Sequence, residues 1–166
     1  MGDPEITRPF PRYTERPLPV YRHVPGQTPH PTRDPEGHSY GQTEPELPDL
    51  NTGDWRKCEH YLIGIDLFNS GYWWECHEVL EGLWHAAGIG TPAAHVLQAV
   101  IQCAAAHLKA ANDCPSGAGR LHEHSVRHAR WSGDRKLGLD LDEMVMNTRT
   151  FLAVEGAAPA QLELQF

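Results

Sequence analysis

Phe68-Asn69-Ser70-Gly71-Tyr72-Trp73-Trp74-Glu75-Cys76-His77-Glu78-Val79-Leu80-Glu81-Gly82-Leu83-Trp84 reads as a turn followed by an amphipathic helix. Ser70-Gly71 offers a start, because a serine side chain can accept from the free N–H groups of a first turn. Gly88, Gly90 and Pro92 supply a stop. At ~100° per residue from His77, Glu81 falls near +40°, Trp74 near +60°, His85 near +80° and Glu78 near +100°. Trp84, Trp73, Leu80, Ala87, Cys76 and Leu83 follow on the other side, so the apolar stripe centres near −80°. His77 and Glu81 lie on its rim, and Glu78 points away from it. Such a stripe must be buried against other helices.

The same wheel sets three pairs one turn apart: His77 with Glu81, Trp74 with Glu78, and Glu81 with His85. A carboxylate beside an imidazole raises the imidazole pKa and lowers its own, which suits proton transfer or metal binding. The plainer reading is a rim histidine hydrogen-bonded to a glutamate, with Glu78 solvated. His-Glu-x-x-Glu lacks the second imidazole of the zincin His-Glu-x-x-His pattern, so a zincin is not expected.

Upstream, a first helix is expected from about Gly53 to Asn69. Asn51 or Thr52 would cap it, and Trp55, Cys58, Leu62, Ile65 and Phe68 would form its inner stripe. Downstream, Thr91 and Pro92 open a helix running to Ala111 that is apolar nearly all round, hence the most buried. Gln98 and Gln102, one turn apart in that apolar setting, need partners. Either they bond backbone carbonyls, or they orient His77 or Glu81 across the helix interface. Ser116 is expected to cap a fourth helix reaching Trp131. His124 and His128 share a face there with His122 nearby, but Arg120, Arg127 and Arg130 disfavour a cation. Asp140-Leu141-Asp142-Glu143 resembles a capping box opening a fifth helix that ends before Gly156.

Eleven of the fourteen prolines precede residue 49, so residues 1–50 can be neither helical nor part of a central sheet. Phe10, Tyr13, Tyr21 and Tyr40 are spaced like anchors. The expectation is an extended Pro-rich arm lying over the outward face of the central helix, where Trp74 and Glu78 would otherwise be exposed. Residues 51–156 form the helical domain, and residues 157–166 read as a loose tail.

Fourteen basic against twenty-two acidic residues give a net charge of −8, which argues against nucleic acid or an anionic membrane as partner. No run of about 18 apolar residues would span a bilayer, and Met1-Gly2-Asp3-Pro4-Glu5 is not a signal peptide, so a cytoplasmic address is expected. Cys58, Cys76, Cys103 and Cys114 have no C-x-x-C spacing and suit reduced thiols.

The run from Phe68 to Trp84, with Leu97-Gln98-Ala99-Val100-Ile101-Gln102 and Gly117-Ala118 followed by Leu121, resembles the signature of the family called domain of unknown function 309. That signature is roughly F-N-x-G-x-x-x-E-x-H-E-x-x-E-x-x-W, then L-Q-G-x-I-Q, then G-A-x-x-L. Ala99 stands where the family has glycine, and Cys76 where it has alanine. The resemblance spans about residues 55–152 and implies a compact helical bundle without an assigned activity. It singles out Glu75, His77, Glu78, Glu81, Trp84 and Gln102.

The expected architecture is all-α: a compact bundle of about five helices with the extended arm. The candidate site places His77, Glu78 and Glu81 in catalytic or ligating roles, Trp74 and Trp84 as pocket walls, Glu75 on the ligand, and Gln102 as orienting group. A divalent metal is the cofactor class this set would take, with His30 or His38 of the arm completing the ligands. The alternative is a non-catalytic interaction or scaffold module in which the same residues form a buried polar network. The sequence leaves enzymatic activity, partners and homo-oligomerisation open.

Overall fold

The computed structural model of the protein describes residues 10–166. Among the described residues five helices, α1 (Glu59–Asn69), α2 (Trp73–Ala87), α3 (Pro92–Ala111), α4 (Pro115–Trp131) and α5 (Leu141–Ala153), make an all-α bundle, with a short 3₁₀ turn over Trp55–Lys57. Successive helices pack on one another, and α5 also returns to α3. Among the described residues no helix is long and apolar enough to cross a membrane.

The helix α3 is the centre, as its composition requires. Ala93, Val96, Leu97, Val100, Cys103, Ala104 and Ala106 are fully enclosed. Its alanines let α4 approach closely enough for Ser125 Oγ to donate to the Ala99 carbonyl at 2.7 Å. Thr91 caps α3 by accepting from Ala94 N, and Asn51 accepts from Ala93 N at 3.0 Å. Asn51 thus serves α3 rather than α1. Close approach also joins α1 to α2: a Cβ on Gly64 would fall 2.6 Å from Leu80 Cδ2, a separation side chains do not tolerate. The turn between these helices requires Gly71, whose φ of 78° lies in the left-handed region that favours glycine.

Three helix starts differ from expectation. Asp54 caps the 3₁₀ turn by accepting from Arg56 N, so regular α-helix begins only at Glu59, and Leu62 packs half-buried at the edge of the core. Ser70 closes α1 instead of opening α2, which starts at Trp73 behind Tyr72. Cys114, not Ser116, precedes α4, because Pro115 takes the first helical position, where its missing N–H costs nothing. The fifth start follows expectation, with Asp140 accepting from Glu143 N at 2.9 Å.

The two extended ends lie on the bundle. Asp66, fully buried in α1, accepts from Tyr13 N, Thr14 N and Thr14 Oγ1 at 2.8–2.9 Å and faces Arg12 Nε at 3.2 Å. The expected loose tail is overturned over part of its length: Ala160, Leu162 and Leu164 are buried. Asn69 clasps Leu162 like a paired strand, donating to its carbonyl at 2.8 Å and accepting from its N–H at 2.7 Å. The arm and tail also meet, since Tyr13 Oη accepts from Leu164 N at 2.9 Å.

Candidate functional site

Helix α2 carries the site because it presents polar residues to two different surroundings. On its first turn Glu75 is only 4% exposed and faces the arm. Its Oε1 accepts from the backbone N–H of His23 at 2.7 Å and lies 3.0 Å from His38 Nε2. Its Oε2 is buried without a hydrogen-bond partner. Trp74, beside it, receives the edges of the His23 and His30 rings, with centroids at 4.7 and 5.3 Å. The arm therefore covers Trp74. Desolvation lowers the His23 pKa, His30 adds to that, and Glu75 opposes both.

Further round α2, His77, Glu78 and Glu81 form a half-open cluster. His77 Nδ1 lies 3.4 Å from Glu78 Oε1, and its Nε2 lies 3.6 Å from Glu81 Oε2. The His77 side chain is 33% exposed and each carboxylate side chain 41%. Glu81 also faces His85 Nε2 at 3.8 Å. Partial burial raises the Glu78 pKa, and His77 beside it pulls the other way. Glu78 thus meets His77 as its immediate neighbour, a contact the wheel did not single out. One ligand atom from each of the three lies within 4.8 Å of the others.

The remaining candidates are placed elsewhere. The Trp84 ring lies tilted against His85, with centroids 4.7 Å apart, and packs partly on the core. Gln102 donates to Gln98 Oε1 at 3.0 Å, while its own Oε1 is buried without a partner. Neither glutamine hydrogen-bonds His77 or Glu81, so the orienting role is not realised. Of the arm histidines expected to complete the ligand set, His38 bonds Glu75, and His30 rests on Trp74 and Thr32. The i,i+4 pair His124 and His128 does not close on itself. His128 Nδ1 instead faces His95 Nδ1 across the α3–α4 interface at 3.0 Å, and His122 Nε2 bonds the Val145 carbonyl.

Among the buried polar residues that the sequence did not single out are Asp66 and His107. His107 lies on α3 among Phe68, Trp73 and Phe151, stacked on the last with centroids 4.7 Å apart. Its Nδ1 donates to the Cys103 carbonyl at 2.8 Å, and its Nε2 accepts from Ala160 N at 3.1 Å. That arrangement fixes the neutral ring, and burial brings its pKa down to about 4. A histidine on the face of α3 that is apolar all round was the available signal.

Residues 61–121, which contain α2 entire, match a family model described as Domain of unknown function (DUF309). No curated protein and no solved structure matches the chain.

Proposed function

We propose that the rim of α2, which lies within the stretch matching the DUF309 model, binds a divalent cation through His77, Glu78 and Glu81. The observation that carries this reading is the convergence of one imidazole nitrogen and two carboxylate oxygens within 4.8 Å. One nitrogen with two carboxylates suits Mn, Fe or Zn better than calcium, which prefers an all-oxygen shell. Three protein ligands with an open outer side leave coordination positions for water or a small ligand. That is the pattern of a working site rather than a closed structural one.

A second reading keeps Glu75 apart from this site. It acts as a structural anchor, because its bonded oxygen is occupied by the arm. The scaffold role and the cation site then divide along one helix.

Calorimetric titration of tag-free protein with Zn²⁺ and Mn²⁺ tests the proposal. One site per chain is expected. His77→Ala and Glu81→Gln should each weaken it at least tenfold, since even indirect partners of metal ligands commonly cost about 10- to 100-fold. Absence of binding heat and of any shift in melting temperature at millimolar metal would overturn the reading.

A further inference from the structure

The segment Gly37-His38-Ser39-Tyr40-Gly41 of the arm brings together a second set of groups whose chemistry differs from that of the α2 rim. Ser39 Oγ lies 2.9 Å from His38 Nδ1. The other nitrogen of that ring, Nε2, lies 3.0 Å from Glu75 Oε1. The hydroxyl, the imidazole and the carboxylate form one continuous hydrogen-bonded relay. The tautomer that satisfies both contacts has the proton on Nε2, donated to Glu75, and leaves Nδ1 free to accept from the serine hydroxyl. This is the polarity a general base needs beside a nucleophilic hydroxyl.

The relay is held in place from several sides. Glu75 is 4% exposed and the His38 side chain 7% exposed, so their pairing is shielded from water. Tyr21 packs against the His38 ring with centroids 4.7 Å apart, and its hydroxyl accepts from His38 N. Ser39 N donates to the Pro31 carbonyl at 3.0 Å, which ties the serine backbone to the preceding loop. Both flanking glycines are required: a Cβ on Gly37 would strike the Pro31 carbonyl, and Gly41 has φ of 72°. Ser39 itself is half-buried and Tyr40 is 53% exposed, so the hydroxyl is near the surface while its base and carboxylate are not. The five residues fit the G-x-S-x-G spacing, although the strand and helix that frame a nucleophile elbow in α/β-hydrolases are absent here. The hydrogen bonds, not the spacing, carry the inference.

We propose that Ser39, His38 and Glu75 form a nucleophilic serine site that transfers uncharged acyl groups from esters to water. Ser39 Oγ would attack the ester carbonyl carbon and form a new C–O bond as its proton passes to His38 Nδ1. Glu75 stabilises the resulting imidazolium. The same proton then goes to the departing alkoxide as the ester C–O bond breaks, leaving an alcohol and an acyl-Ser39. Water, deprotonated by His38, attacks that acyl group and releases the carboxylic acid, and the serine recovers its proton. The net reaction consumes one ester and one water. An uncharged acyl group follows from the surroundings, because an anionic ester would approach the Glu75 carboxylate in a chain of net charge −8.

The test is covalent labelling of the full chain by a fluorophosphonate probe, read by intact mass and peptide mapping, together with turnover of p-nitrophenyl acetate. A single adduct on Ser39 is expected. Ser39→Ala should show no adduct, and His38→Gln should label about 10²-fold more slowly or worse. Ser39→Ala removes only the hydroxyl contact with His38, so its melting temperature should stay at the wild-type value. Glu75→Gln keeps an acceptor for the His23 N–H, and its labelling rate, measured where proteolysis reports a docked arm, isolates the positioning role of the carboxylate. Failure of Ser39 to label in the wild-type chain would overturn the proposal. Ester hydrolysis by Ser39→Ala at the wild-type rate would do the same.

Discussion

Two faces of α2, only a few residues apart, treat their carboxylates in opposite ways. Glu75 is enclosed by the arm, and each of its contacts is fixed by a backbone or ring of residues 23–38. Glu78 and Glu81 share one imidazole at 3.4 and 3.6 Å and keep about two-fifths of their side-chain surface in water. Burial makes the first contact structural, because an unpaired buried acceptor or donor costs more than an exposed one. Exposure makes the second available to a ligand, because exposed ion pairs contribute little to folding. The helix thus separates a carboxylate held by the arm from a pair left open to ligands from solution.

The comparison can be broken from its rigid side first. His107 is buried against the tail with a pKa near 4, below the value of 6.5 expected when unfolded. As pH falls below 6.5 the unfolded state takes the proton first, so stability is complete above that pH, is lost progressively towards pH 4, and is flat below it. The two values imply a loss on the order of 3 kcal/mol. Denaturant titrations at several pH values should show this slope, and His107→Gln should lack it. Asn69→Ala strips Leu162 of a donor and an acceptor at once and is expected to cost about 2–4 kcal/mol by chemical denaturation.

Glu75→Ala leaves the His23 N–H without its acceptor. A loss of about 1–3 kcal/mol is expected, with faster proteolytic cleavage over residues 10–45. The sharpest contrast comes last: His77→Ala should change unfolding free energy by no more than about 0.5 kcal/mol, as for surface substitutions generally. A large loss at His77 would erase the distinction between the two faces.

Much of this architecture was legible in the sequence because helical period and composition act locally. The apolar circumference of α3, the Thr91-Pro92 start and the Asp140 cap are decided within a few residues, and the structure follows them. The His77–Glu81 pairing was equally local, being one turn apart on one helix. What could not be read depended on distant partners. Asn69 stood in a recognisable motif, but nothing near it in sequence shows that it clasps Leu162, ninety-three residues on. Ala160, Leu162 and Leu164 alternate as a half-buried extended segment should, a signal outweighed by their position after the last helix. Gln102 was assigned across an interface when its bond lies along its own helix, which spacing alone cannot distinguish.

The contact of Tyr13 with Leu164 joins the arm to the tail beside α1. Their fastenings at Asp66 and Asn69 sit one turn apart on α1. Pulling either end free would expose the clasp of the other to water, so the two are expected to open together. Amide exchange at Thr14 and at Leu162 should therefore report a single shared opening energy, even though the chain places them at opposite extremities.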